Sequence, residues 1–211
     1  RTHLRQFNYD VDPATLVGFA DFLRRRYPAT NYVIILWDHG DGWYPGYGPS
    51  RAIFIDDSHA HEMGVAGGEL AQAMADVKRA LGKRVRILAF DACLMGMIEV
   101  AAEVRDACDY MLASEAMVPT DGLPYDKFLG RLTDRPTGTP AELLPGICSD
   151  YVEEYPGQQV QMSAREMSTL APALELMPTT FRGGIFTHFP STPVNGVSVR
   201  QRTATSSPSR H

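Results

Sequence analysis

Tyr32-Val33-Ile34-Ile35-Leu36-Trp37-Asp38-His39-Gly40-Asp41-Gly42 joins an unbroken apolar run to an abrupt polar, glycine-rich turn. Continuous runs of this length, rich in β-branched residues, suit strands covered on both faces, as in parallel sheets. The glycines then force the chain to turn. A second run, Val85 to Phe90, stops in the same way at Asp91-Ala92-Cys93. Between the two, Leu70, Met74, Val77 and Leu81 recur at helical spacing, and Gly82 stands where a helix C-cap is expected. Strand, crossover helix and strand make a right-handed βαβ unit, so the two strands are expected to be parallel.

Outward from this unit, Asp12-Pro13 opens a helix carrying Leu16, Phe19, Leu23 and Tyr27 on one face and ending near Pro28. A Gly/Pro/Tyr-rich loop from Trp43 to Ser50 leads into a short apolar segment, Ala52 to Ile55, and then Asp56-Asp57. Directly after Cys93, the residues Leu94, Met97, Ile98, Ala101 and Val104 predict a helix that Cys93 begins. A strand is expected over Tyr110 to Ala116 and another around Val160 to Ser163, with helices near 125–133, 140–155 and 166–177. Residues 1–190 read as one domain. Residues 191–211, rich in Ser, Thr, Pro and Arg without hydrophobic period, read as a disordered or non-native tail.

A chain of 211 residues with 44% hydrophobic content can bury a substantial core without staples. The formal net charge of −5 argues against nucleic acid, which selects a basic face. No apolar run approaches the roughly 20 residues that span a bilayer. The sequence opens on Arg1 with no leader-like segment and reads as an excerpt of a longer chain. Three widely spaced cysteines, 93, 108 and 148, make neither a disulfide framework nor a thiolate zinc site.

Position separates one cysteine from the others. His39 and Cys93 each follow the carboxyl end of a buried strand, where open α/β sheets form their sites. Neighbouring strands about 4.8 Å apart bring the two loops together. An imidazole there can take the thiol's proton and later return one to a leaving amine. The N–H groups of Gly40 and Cys93 are natural donors to an oxyanion, and a helix starting at Cys93 would favour its thiolate. Cys108, near the end of its helix, and Cys148, mid-helix, have no such placement.

Trp37-Asp38-His39-Gly40-Asp41-Gly42-Trp43 and Phe90-Asp91-Ala92-Cys93-Leu94-Met95-Gly96 resemble the two catalytic signatures of the clostripain family of cysteine peptidases. The resemblance runs from about Tyr32 through Leu129, more faintly to about Met177. It implies a caspase-like three-layer α/β/α sandwich with a mainly parallel central sheet. It makes His39 the general acid/base and Cys93 the nucleophile of an endopeptidase. Asp91 resembles a position in the wall of the specificity pocket, where an acid selects Arg or Lys; Asp121, or else Glu115, would add a second acid. Family members also cut themselves in the loop after the catalytic His, which points to Arg51-Ala52. An N-terminal strand and helix usual in the family are missing before Arg1. The resemblance implies protein or peptide substrates with basic residues, and a bacterial, secreted or cell-envelope setting. It requires no cofactor for the chemistry and admits calcium at Asp56 and Asp57.

Other readings compete with this one. Asp38, His39, Asp41, Asp56, Asp57, His59 and His61 could be taken for a metal-dependent hydrolase site, but the spacing matches neither HExxH nor an EF-hand. An inactive binding module or a truncated, non-functional fragment would keep the fold without the turnover.

Overall fold

The computed structural model of the protein describes residues 12–43, 52–56, 61–65, 67–175 and 197–200. In chain order the elements are α1 (Pro13–Arg26), β1 (Val33–Trp37), β2 (Ala52–Asp56), β3 (His61–Gly64), α2 (Glu69–Leu81), β4 (Val85–Asp91), α3 (Ile98–Val104), β5 (Cys108–Ala113), α4 (Tyr125–Asp134), α5 (Pro140–Glu154), β6 (Gln161–Glu166), α6 (Met167–Glu175) and β7 (Val197–Arg200). Five strands form one sheet in the order β1-β4-β5-β6-β7. β1, β4 and β5 run parallel, and β6 is antiparallel to both of its neighbours.

Alternation along the central strands sends side chains to two cores. Val85, Leu88 and Phe90 of β4 join one core with Leu70, Met74 and Val77 of α2, Val100 and Val104 of α3, and Ala20 of α1. Ile87 and Ala89 point to the other face, against Phe128 of α4 and Leu144, Ile147 and Tyr151 of α5. Helices therefore cover both faces, and the α/β/α sandwich forms as the continuous strand runs require. The helix ends follow local chemistry. Asp12 caps α1 through a hydrogen bond from the N–H of Ala14, and Gly82 closes α2 in a left-handed conformation, φ 72°.

Several expectations change. The segment at Ala52 is strand β2, which pairs antiparallel with β3 in a separate two-stranded sheet. α3 starts at Ile98, leaving Cys93 to Gly96 as turns, so Cys93 does not begin a helix. Cys108 opens β5 instead of ending a helix. Trp37 is 66% exposed instead of core, because β1 is an edge strand and the tryptophan is its last residue. β7 lies within the stretch read as a tail and pairs with β6.

α4 and α5 are also tied by a side-chain pair. The Arg131 guanidinium donates to both oxygens of Asp150, through Nη2 at 2.7 Å and through Nε. This pairing holds the Asp150 carboxyl below the usual carboxylate range. A depressed folded-state pKa contributes stability at pH values above that range and loses it as pH falls through the folded value. Asp150→Asn is therefore expected to destabilise the protein by about 1 kcal/mol near neutrality, Arg131 being partly exposed. The difference from wild type should shrink as pH falls below 4. Urea melts of both proteins at neutral and acid pH check this.

Candidate active site

β1 and β4 pair in register with Trp37 opposite Asp91, and the N–H of Asp38 donates to the Asp91 carbonyl at 3.4 Å. His39 and Cys93 thus stand two residues beyond the same rung. Past it, the strands do not splay apart. A Cβ on Gly40 would lie 2.6 Å from the Cys93 carbonyl oxygen, and one on Gly42 would lie 2.7 Å from the Leu94 carbonyl oxygen. No real Cβ tolerates such contacts. Glycine at 40 and at 42, on either side of Asp41, is the condition for the His39 loop to close on the Cys93 turn. Gly40 also bridges antiparallel to Ile53, which ties β2 to the same loop. His39 is exposed, and its N–H donates to Asp38 Oδ1 at 2.6 Å.

The turn that follows Cys93 is held from the other side. Leu94 adopts φ 62°, a left-handed conformation that a leucine takes only when its surroundings impose it. Its N–H donates to the Ala116 carbonyl at 3.1 Å, and the Gly96 N–H donates to the Ser114 carbonyl at 2.7 Å. Buried Ser114 stabilises that acceptor loop, its hydroxyl bonding both the N–H and the carbonyl of Ala116. Two residues on, the Val118 N–H donates to Cys93 Sγ at 3.1 Å, and the thiol faces the Val118 carbonyl at 3.8 Å. The loops after β1 and β5 therefore converge on the half-buried Cys93, the first on its carbonyl and the second on its thiol.

Asp91 lies beneath. Its carboxylate is 2% exposed and takes two neutral donors, the Leu123 N–H on Oδ1 at 3.0 Å and the Tyr125 hydroxyl on Oδ2 at 2.8 Å. Among the described residues no ion pair joins it. Gly122, φ 69°, passes so close that a Cβ there would sit 2.5 Å from Asp91 Oδ2. The Tyr155 hydroxyl holds this turn by donating to the Gly122 carbonyl at 2.5 Å. Asp121, exposed, precedes that glycine and helps push the Tyr155 phenol upward, behind the larger effect of burial. Buried Tyr151 is pushed up by burial first, then by Tyr155, Asp91 and Cys93.

Glu115 goes elsewhere. Its carboxylate pairs with Arg165 and accepts weakly from Gln161 Nε2 at 3.4 Å, on the β6 side of the loop. The structure thus brings His39, Gly40, Asp91, Cys93 and Asp121 to one end of the sheet and engages Glu115 with β6. Arg51, Asp57, His59 and the side chains of Ala52, Asp56 and His61 lie outside the described residues. Among the described residues, no cluster of three or more His, Cys, Asp or Glu is placed to hold a metal. No described helix is long and apolar enough to cross a membrane. Sequence reasoning did not single out Val118, Leu123, Tyr125 or Tyr155. Only Gly122, in a turn-forming Asp-Gly pair, carries a local signal that could have found this turn.

The same arrangement of layers occurs in solved cysteine proteases. A secreted C11 cysteine protease from Bacteroides thetaiotaomicron, solved with an irreversible peptide inhibitor, superposes with TM-score 0.62 at 24% identity, over 77% of this chain and 47% of that one. An inactive zymogen C11 protease from Parabacteroides distasonis gives 0.55 at 24% identity, over 82% and 44%. The sequence matches the Clostripain family over residues 1–174, and the chain belongs to that family. It is 36% identical over 132 residues to clostripain of Hathewaya histolytica, an alignment covering 57% of this chain and 24% of that protein. The chain thus spans about a quarter of that relative's length and about half of each of the two solved structures.

The three thiols differ in a way that alkylation reads directly. Burial pushes Cys108 up to about 12, with smaller effects from Arg84 and Asp109, and burial pushes Cys148 up to about 12. Neither forms thiolate near neutral pH, and neither is accessible. Iodoacetamide at pH 7.5 is expected to modify Cys93 alone in the folded protein, as read by peptide mass mapping. Equal modification of Cys108 or Cys148 before unfolding would contradict the burial described.

Proposed function

We propose that the chain is the catalytic part of a cysteine endopeptidase that cleaves after Arg or Lys. The observation that carries this is the closure of the His39-Gly40 backbone onto Cys93, with a buried, charge-uncompensated Asp91 directly below. In this reading His39 takes the Cys93 proton, and the thiolate attacks the carbonyl carbon of the scissile bond. The N–H groups of Gly40 and Cys93 donate to the oxyanion, a kind of contact worth about 3–4 kcal/mol in transition-state stabilisation. The C–N bond breaks as His39 protonates the leaving amine, and water then hydrolyses the thioester.

Specificity follows from Asp91. A carboxylate this buried, with only neutral partners, gains most from a ligand that brings a cation, and a pocket built for that pair rejects neutral side chains. Asp121, on the rim beside Gly122, adds negative potential. Glu115 takes no part, its charge being matched by Arg165. Calcium at Asp56 and Asp57 has no role in these steps. Membership in the clostripain family supports a bacterial, exported setting with peptide or protein substrates.

Self-processing between Arg51 and Ala52 belongs to the same reading. Ala52 starts β2, whose Ile53 bridges Gly40, so the cut pieces should stay associated. Fluorogenic Arg-amide and Lys-amide peptides are expected to be turned over, with kcat/KM falling at least about a thousandfold in Cys93→Ala and in His39→Ala. Denaturing gels of the same preparations are expected to show the cut at Arg51 in wild type only. Turnover that survives Cys93→Ala, or that a chelator abolishes, would reject the thiol mechanism. Equal nicking of wild type and Cys93→Ala would reject self-processing.

A further inference from the structure

We infer that Tyr125 is a positioning residue for specificity, its hydroxyl fixing the plane of the Asp91 carboxylate so that the pocket favours the forked guanidinium of Arg over the ammonium of Lys. The inference rests on Asp91 being the pocket acid. Three features of the structure carry it. Asp91 is 2% exposed, so few orientations of its carboxylate are open, and each oxygen already has one internal donor. One donor is the Leu123 N–H, a backbone group fixed by the turn at Gly122. The other is the Tyr125 hydroxyl at 2.8 Å, the one side chain among the described residues that bonds this carboxylate.

Tyr125 is well placed for the task. It is the first residue of α4, so its Cα is held by the helix, while the residue as a whole remains 37% exposed. Its titration is pushed upward, first by burial and then by the bond to Asp91, so the hydroxyl stays a donor throughout the neutral range. The two donors, one to each oxygen, stop the carboxylate from rotating about its Cβ–Cγ bond. A guanidinium needs both oxygens in its own plane for a two-pronged contact, whereas an ammonium is a point charge that needs one. Loss of the fixed plane therefore costs Arg more than Lys.

The test uses the full chain and two matched fluorogenic peptides differing only in Arg or Lys before the scissile bond. Tyr125→Phe keeps the ring and removes the hydroxyl. The ratio of kcat/KM for Arg over Lys is expected to fall about tenfold, with the loss entering through KM more than kcat. Continued alkylation of Cys93 by iodoacetamide shows that the variant's site is intact. A merely structural tyrosine would lower both substrates alike, and that result, or an unchanged ratio, would overturn the inference. Asp91→Asn separates the two levels. If it leaves Arg and Lys turnover unchanged, the pocket-acid reading itself fails. If it abolishes both while Tyr125→Phe leaves the ratio unchanged, only the role of Tyr125 fails.

Discussion

The site depends on one contact, the approach of the Gly40 backbone to the carbonyl of Cys93. Parallel pairing of β1 with β4 brings the two strand ends level, but parallel strands alone would leave their following loops free to diverge. Glycine at position 40 removes the side chain that would hold them apart, and glycine at 42 does the same against Leu94. The backbone of the His39 loop is thereby seated on the turn that presents Cys93. The rest of the site is built around that seam.

From below and behind, the loop after β5 completes the enclosure. It receives the N–H groups of Leu94 and Gly96, meets the thiol at Val118, and then turns at Gly122 to wrap the Asp91 carboxylate. One segment thus touches both the Cys93 thiol and the buried charge. The left-handed Leu94 is the cost of this design, roughly 1–3 kcal/mol of local strain that the bonds on either side must offset. A left-handed residue directly after Cys93 turns the chain there and keeps the thiol facing the Val118 backbone.

The parts of the fold written in periodicity were legible. Apolar runs marked β1 and β4, the i, i+3, i+4 pattern marked α2, and the crossover rule made the strands parallel neighbours. The positions of His39 and Cys93 followed from those three facts. Legibility failed where structure depends on contacts distant in sequence. β3 is four residues with no alternation of its own and exists through pairing with β2. The apolar spacing from Leu94 suggested a helix from Cys93, yet Leu94 breaks the register with a positive φ that only the loop at 114–116 enforces. Trp37 looked like core because apolar composition does not say which strand lies at a sheet edge. Tyr125 could not be found at all, because nothing in its neighbourhood predicts that a helix-start hydroxyl reaches a carboxylate 34 positions away.

If closure of Gly40 on Cys93 is what makes the pair work, the decisive measurement is steady-state turnover of an Arg-amide peptide by Gly40→Ala. One methyl group is added, at a position where it would lie 2.6 Å from the Cys93 carbonyl oxygen and 3.0 Å from the Ala92 side chain. Expected is a fall in kcat/KM of about a hundredfold or more, because a small misplacement of catalytic groups costs that much. Circular dichroism should still report the wild-type secondary structure. Turnover within about twofold of wild type would contradict the account, since the His39 loop would then be free to stand away from Cys93 without loss.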